Sequence, residues 1–258
     1  MRLAGKVAIV TAVGKQRGMG RGIARVLASE GADLVLNSAS AASVEEAVAE
    51  IRAAGRRAEG VAGDAASRQV CAQLVRTATS VLGRLDMLVC NAGINTFTMF
   101  EQTSEEAARR CVDVNFFGTF NLCQEALPAL KERGGSIVVI TSVHAESAYP
   151  GSSIYNFTKA GLNHFAATLG IELAPYRIRV NALEPGWVGT PGSTGSLSEE
   201  QLAQVARELI PWGRIGQAED VGRAVAFLLS DEADYITSSV LRVDGGLIAA
   251  ERKKRLEL

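Results

Sequence analysis

A chain of 258 residues with 47% hydrophobic and 21% charged side chains is long enough to bury a large core. Its 27 basic and 28 acidic residues leave a formal charge of −1, without the basic excess that a general nucleic-acid binder needs. Four cysteines with no C-x-x-C pair, and two histidines far from any cysteine cluster, argue against a metal site or a disulfide framework and for reduced thiols in a cytoplasmic protein.

The first apolar run, KVAIVTA at 6–12, is far shorter than the roughly 18 residues of a membrane span and reads as a buried strand, so no membrane partner is expected. A helix from about Met19 to Glu30, the strand DLVLN at 33–37, a helix over 44–55 and the strand AEGVAG at 58–63 follow. Ser43 with Glu46 has the form of a capping box, and Gly55 is placed to close that helix. Next come a helix from Ser67 to about Leu82, the strand DMLVCN at 86–91, and a long helical region from Ser104 to Leu130. The strand SIVVITS at 136–142, a helix over 153–173, IRVNAL at 178–183, helices around 198–209 and 218–230, and VLRVD at 240–244 complete the series. With right-handed crossovers this order predicts an α/β fold: a single Rossmann-type doubly wound parallel sheet of about seven strands, helices on both faces, over residues 1–248. Residues 190–212 are expected to form a lid, and 249–258 a polar tail outside the fold.

Behind the first strand lies TAVGKQRGMGRGIA, with Gly14, Gly18 and Gly20 between a strand and a helix. There a glycine-rich turn lets the backbone approach a dinucleotide phosphate at a helix N-terminus, and Met19 opens that helix. The second strand ends LVLNSAS, without the carboxylate that grips a ribose 2′-hydroxyl. Arg17 is therefore read as meeting a 2′-phosphate, with Asn37, Ser38 and Ser40 as small hydrogen-bonding walls, so that NADP(H) is favoured over NAD(H). The bland alternative makes Lys15, Arg17 and Arg21 surface charges.

Tyr155 and Lys159 are four apart in the helical stretch YNFTK and share a face, thirteen residues beyond Ser142. A nearby ammonium favours phenolate and would make the tyrosine useful for proton transfer, while a serine hydroxyl could hold a carbonyl or alcohol oxygen. Alone, such a pair is common on helix surfaces.

Taken together and in order, the glycine turn, CNAG at 90–93, VDVNFFGTF at 112–120, ITSV at 140–143, YNFTK at 155–159, EPGWVGT at 184–190 and VDGG at 243–246 resemble the short-chain dehydrogenase/reductase family over residues 3–247. The resemblance implies a tetrad: Asn115 positions a water for a proton relay, Ser142 orients the substrate oxygen, Tyr155 is the acid/base, and Lys159 lowers the tyrosine's pKa and holds the nicotinamide ribose. It also places Asp64 and Ala65 by the adenine, Asn91, Ala92 and Gly93 along the central stretch of the cofactor, and Pro185, Gly186, Val188 and Thr190 by the nicotinamide. The implied partner is a small carbonyl or alcohol substrate, as in 3-oxoacyl-(acyl carrier protein) reductases and sugar or polyol dehydrogenases, and the implied assembly is a homotetramer. An NAD-linked dehydrogenase, or a nucleotide sensor or scaffold without turnover, are the alternatives.

Three features depart from the family pattern. Ala12 follows Thr11 where glycine is usual, and about two more residues separate Thr11 from Gly18; either Gly14 becomes the first glycine or Lys15 to Arg17 bulge over the pyrophosphate. A longer turn also resembles enoyl reductases, but those carry a wider tyrosine-to-lysine spacing. Glu184 precedes Pro-Gly, and ITSS at 236–239 lacks the usual glycine. His144, two residues past Ser142, reads either as a substrate-facing side chain or as a loop histidine, and His164 as structural.

Overall fold

The computed structural model describes residues 1–193, 195 and 198–254. Seven strands, β1 (Val7–Val10), β2 (Asp33–Ser38), β3 (Ala58–Ala62), β4 (Met87–Cys90), β5 (Gly135–Ile140), β6 (Ile178–Pro185) and β7 (Val240–Val243), form one sheet in the order β3-β2-β1-β4-β5-β6-β7. Every neighbouring pair is parallel, with Ile9 opposite Val35 and Leu88, and Leu88 opposite Ile137.

Strand alternation sorts the apolar side chains into two cores. Ala8, Val10, Leu34, Leu36, Met87, Val89, Val138 and Leu183 point to one face, packed by α1 (Met19–Ser29), α2 (Ala41–Ala53) and α8 (Ala218–Leu229). Val7, Ile9, Val35, Leu88, Ile137, Val139 and Val180 point to the other, under α3 (Arg68–Ser80), α5 (Gly118–Lys131) and α6 (Ser153–Leu173). The order reverses between β1 and β4, and a crevice opens there at the carboxyl ends of the strands.

Three sequence expectations are corrected here. The cap of α2 is Ser40, whose hydroxyl accepts from Ser43 N–H at 3.4 Å; the chain leaves β2 extended at Ser40, so the helix starts before the Ser43–Glu46 pair. Gly55, at φ +80°, does close α2: its N–H donates to Arg52 C=O and that of Arg56 to Ile51 C=O. The long helical region divides into α4 (Glu105–Val112) and α5, joined by a π-helical turn over Asp113–Phe117. The polar end is not wholly a tail, because α9 (Leu247–Lys254) follows β7 and buries Leu247 and Ile248. Residues 255–258 lie outside the described set.

All four cysteines are buried and free. Among the described residues no helix is long and apolar enough to cross a membrane, and no group of three or more metal-binding side chains occurs.

Candidate active site

Thr11, just past β1, stitches the crevice together. Its hydroxyl accepts from the N–H groups of Asn91 and Ala92, each at 3.0 Å, and the Asn91 amide donates back to Thr11 C=O at 2.9 Å. The chain then turns at Ala12, φ +58°, and Val13 N–H donates to Asn37 C=O at 2.9 Å. Gly14 lies against the end of β2, where a Cβ would stand 2.3 Å from Ser38 Oγ. Lys15, Gln16 and Arg17 are exposed and close on themselves through Gly18 N–H donating to Lys15 C=O at 2.8 Å. The lengthened turn thus bulges at 15–17. At Gly20 a Cβ would meet Ala12 C=O at 2.5 Å and the Asn91 amide at 2.6 Å, so glycine lets the first turn of α1 lie on the β1–β4 crossing.

Of the three positive charges at the turn, Arg21 is an internal brace. It is buried and donates to Val13 C=O, Ser43 C=O and the Glu50 carboxylate. Arg25 donates to Gln16 C=O from below, leaving Lys15 and Arg17 outward.

The other cofactor candidates lie at or just beyond the carboxyl ends of β2, β3 and β6. Asn37 is buried, and its amide N–H group donates across to the Val61 and Gly63 carbonyls, both at 3.1 Å. The Ser38 hydroxyl, also buried, accepts from Ser40 N–H. Asp64 accepts from Ala66 N–H and pairs at 2.7 Å with Arg110, whose guanidinium holds the carboxyl below its ordinary pKa. The Ala65 carbonyl accepts from the Cys71 thiol. Pro185 ends β6; Gly186 N–H donates to Val243 C=O, Val188 bridges to Gly216, and Thr190 N–H donates to the Ser193 hydroxyl. The segment expected to form a lid contains α7 (Glu199–Leu209), capped by Ser198 and Gln201, with Thr194, Ser196 and Leu197 outside the described residues.

Ser142 follows β5 and lies beside Tyr155 in the first turn of α6. Burial raises the Tyr155 pKa, and a hydrogen bond with Ser142 works against that. Lys159, one turn on, sits with Nζ 5.4 Å from the Tyr155 ring centre and donates to Ile140 C=O at 2.8 Å. It is buried, and its pKa is pulled down to about 8. Asn115, on the π-helical turn, accepts from Ile94 N–H at 2.8 Å and donates to Ile94 C=O at 3.0 Å and Thr158 Oγ1 at 2.9 Å. The Thr158 hydroxyl in turn donates to Tyr155 C=O at 2.8 Å. Asn115 therefore clasps the segment after β4 to α6, and Gly93, on that segment, leaves open a position 3.3 Å from Lys159 Nζ and 3.5 Å from Asn115 Oδ1. The family motifs do not single out Thr11 and Thr158 as clasps; their signal is a buried threonine beside a motif residue.

A nicotinamide dinucleotide fits this geometry. The N-terminus of α1 offers N–H groups with no helical partner over a crevice that Gly20 keeps open, and Lys159 has three N–H donors against one acceptor among the described residues.

His144 adjoins Ser142 and Tyr155, its backbone N–H donating to Ser142 Oγ at 3.2 Å. Its ring stacks on Tyr149 at 4.1 Å and meets the edge of Tyr155 at 5.3 Å. In the amide orientation that satisfies both ends, Asn156 donates to His144 Nδ1 at 2.9 Å and to Ser152 C=O, and accepts from Tyr149 N–H. Burial lowers the His144 pKa. Glu251 of α9 accepts from the Ser147 and Tyr149 hydroxyls, both at 3.1 Å. Glu184 is fully buried and paired: it accepts from Asn163 at 2.6 Å and from Arg242 at 3.2 Å, and Arg242 also binds Glu146.

Residues 13–248 match the family model described as enoyl-(acyl carrier protein) reductase. The chain is 41% identical over 248 residues to an uncharacterized oxidoreductase of Methylorubrum extorquens, covering 95% of this chain and 99% of the relative. It is 35% identical to the 3-oxoacyl-[acyl-carrier-protein] reductase of Thermotoga maritima, covering 96% and 100%. A double-mutant short-chain dehydrogenase/reductase of Serratia marcescens superposes with a TM-score of 0.87 at 34% identity, over 96% of this chain and 99% of that one.

Proposed function

The chain belongs to the short-chain dehydrogenase/reductase family of NAD(P)(H)-dependent oxidoreductases, and on that premise we propose that it interconverts a ketone and a secondary alcohol with Tyr155 as acid/base. The observation that carries this reading is the pairing of a half-buried tyrosine and a buried lysine one helical turn apart, Tyr155 and Lys159, beside the Ser142 hydroxyl.

In the direction of reduction, the Tyr155 hydroxyl donates its proton to the carbonyl oxygen while Ser142 donates a hydrogen bond to the same atom. The nicotinamide, when bound, supplies the hydride. The Lys159 ammonium offsets the charge left on the tyrosine oxygen, and Asn115 keeps the segment carrying Gly93 in place against α6. Burial disfavours both phenolate and ammonium, so each stabilises the charged form of the other most where water is scarce. The four-residue Tyr155-to-Lys159 spacing supports carbonyl rather than double-bond reduction.

Arg17, exposed next to Gly18, and the absence of a carboxylate at the end of β2 support NADP(H) over NAD(H). The resemblance to the Thermotoga enzyme supports a substrate like that of 3-oxoacyl reductases, and the free, buried cysteines support a cytoplasmic location. A homotetramer is supported by Phe117, Phe157 and Ile171, exposed apolar side chains on or beside α5 and α6.

The test is a carbonyl panel run with wild type and Tyr155→Phe, alongside thermal shift with NADPH and NADH. The variant should lose about 10²- to 10⁴-fold in turnover and keep its cofactor-induced shift. Undiminished turnover in Tyr155→Phe would overturn the assignment, and a larger shift with NADH would reverse the cofactor choice.

A further inference from the structure

Four cations crowd the turn after β1 and the first half of α1. Arg21 and Arg25 are spent on the Glu50 carboxylate, whereas among the described residues the side chains of Lys15 and Arg17 have no ion-pair or hydrogen-bond partner. Lys15 stands in the bulge by which this turn exceeds the family pattern, and its side chain reaches a definite place: a Cβ on Gly192 would stand 3.9 Å from its Nζ. Gly192 offers no acceptor side chain, so the ammonium stays unspent there. The turn it belongs to is closed by Ser193 N–H donating to Thr190 C=O at 3.0 Å, and is held to the segment before α8 by Val188 and Gly189, which both bridge to Gly216. That end of α8 lies on α1, where a Cβ on Gly22 would stand 2.3 Å from the Ala218 Cβ. In the sheet, β4 and β5 separate β1 from β6, a span of about 14 Å at roughly 4.8 Å per strand. Lys15 and the 190–193 turn therefore meet across the crevice, on the side of β1 away from β2.

We propose that Lys15 binds the pyrophosphate of the dinucleotide and, with the 190–193 turn, forms a strap across it that slows its release. This rests on the family's use of a nicotinamide dinucleotide, and not on the choice of ketone or of NADP(H). The direction of the side chain decides which phosphate it serves. A ribose 2′-phosphate belongs at the end of β2, so an ammonium that leans towards β6 serves the phosphates common to NADPH and NADH, and Arg17 is left for the 2′-phosphate. Lysine suits that place, because it acts on a phosphate as a point charge and needs no fixed fork geometry. The bulge thereby adds a charged contact to a site whose other phosphate donors are backbone N–H groups at the start of α1.

The experiment measures binding and release of NADPH and NADH by nicotinamide fluorescence in stopped flow, without substrate, for wild type, Lys15→Met and Lys15→Arg. The Lys15 side chain has no partner in the protein, so the Tm of Lys15→Met without cofactor should equal that of wild type. Lys15→Met should bind both dinucleotides about tenfold more weakly, by the same factor and mostly through faster release, and the difference should narrow as salt is raised. Lys15→Arg, which keeps the charge, should stay within about threefold of wild type. A loss confined to NADPH would move Lys15 to the 2′-phosphate and overturn the proposal. So would equal binding by wild type and Lys15→Met, or a loss seen only in the association rate, which long-range attraction without contact would produce. Each of these leaves the ketone-reductase reading intact; a wild type that binds neither dinucleotide would remove that reading and this one with it.

Discussion

Ala12 and Ser238 stand where the family pattern has glycine, and both keep a left-handed backbone, at φ +58° and +60°. The missing glycines are visible in the sequence, but the retained conformation is not, since only the surrounding hydrogen bonds hold it. Ser238 N–H donates to Val180 C=O at 2.8 Å, and its buried hydroxyl has no partner among the described residues. Removing that side chain relieves about 1–2 kcal/mol of strain and an unpaired polar group, against about 0.5–1 kcal/mol of added chain entropy. Ser238→Gly should therefore raise stability by about 1 kcal/mol, seen as a Tm increase of about 2–4 °C; a fall would show that the turn does not strain serine. Lys159 carries a larger cost. Its pKa falls from 10.5 to about 8, so below pH 8 the buried ammonium costs about 3 kcal/mol. The unfolded chain binds the extra proton between pH 8 and 10.5, and stability should rise with pH across that window. Lys159→Met should recover much of the cost at pH 7 and flatten the slope, while turnover is lost; denaturant titrations at several pH values read both, and an unchanged slope would contradict the burial argument.

The secondary elements were legible because their hydrophobic periods are clear, and α6 spans Ser153–Leu173 as expected. Where the expectation failed, contacts distant in sequence decide. The π-helical turn at 113–117 breaks a helical pattern that reads continuously, and Asn115 in that turn bonds to Ile94, 21 residues away. Arg21 looked like one of three equivalent cations, but its place under Val13 and against Glu50 of α2 follows from tertiary packing. The bonds of Asn37 to Val61 and Gly63 are likewise not written in its neighbours. The bulge at 15–17 leaves Arg17 exposed on a segment anchored at Gly18. Arg17→Ala should reduce the preference for NADPH over NADH by about tenfold or more, with little loss in NADH affinity. Parallel loss with both cofactors would make Arg17 a general phosphate contact instead.

At the scale of the molecule, α9 joins two walls that the sequence reading kept apart. Leu247 packs with Ala206 and Ile210 from the lid helix and its end, with Trp187 and Ile215 alongside. One turn further on, Glu251 holds Ser147 and Tyr149 in the segment that carries His144. The charged composition of ERKK concealed this, because the apolar anchors Leu247 and Ile248 lie just before it. Truncation after Gly246 should raise KM for the ketone about tenfold, with a smaller change in kcat, because the walls loosen while Tyr155 and Lys159 stay on α6. Unchanged kinetics would mean that the lid and the Tyr149 segment hold themselves.

The same tie sets an order of assembly. Residues 247–254 leave the ribosome after every strand of the sheet, so a nascent chain can lay down the nucleotide crevice between β1 and β4 well before it can close the substrate pocket. Binding of cofactor to the emerging chain should precede its first catalytic turnover by at least the time needed to translate α9.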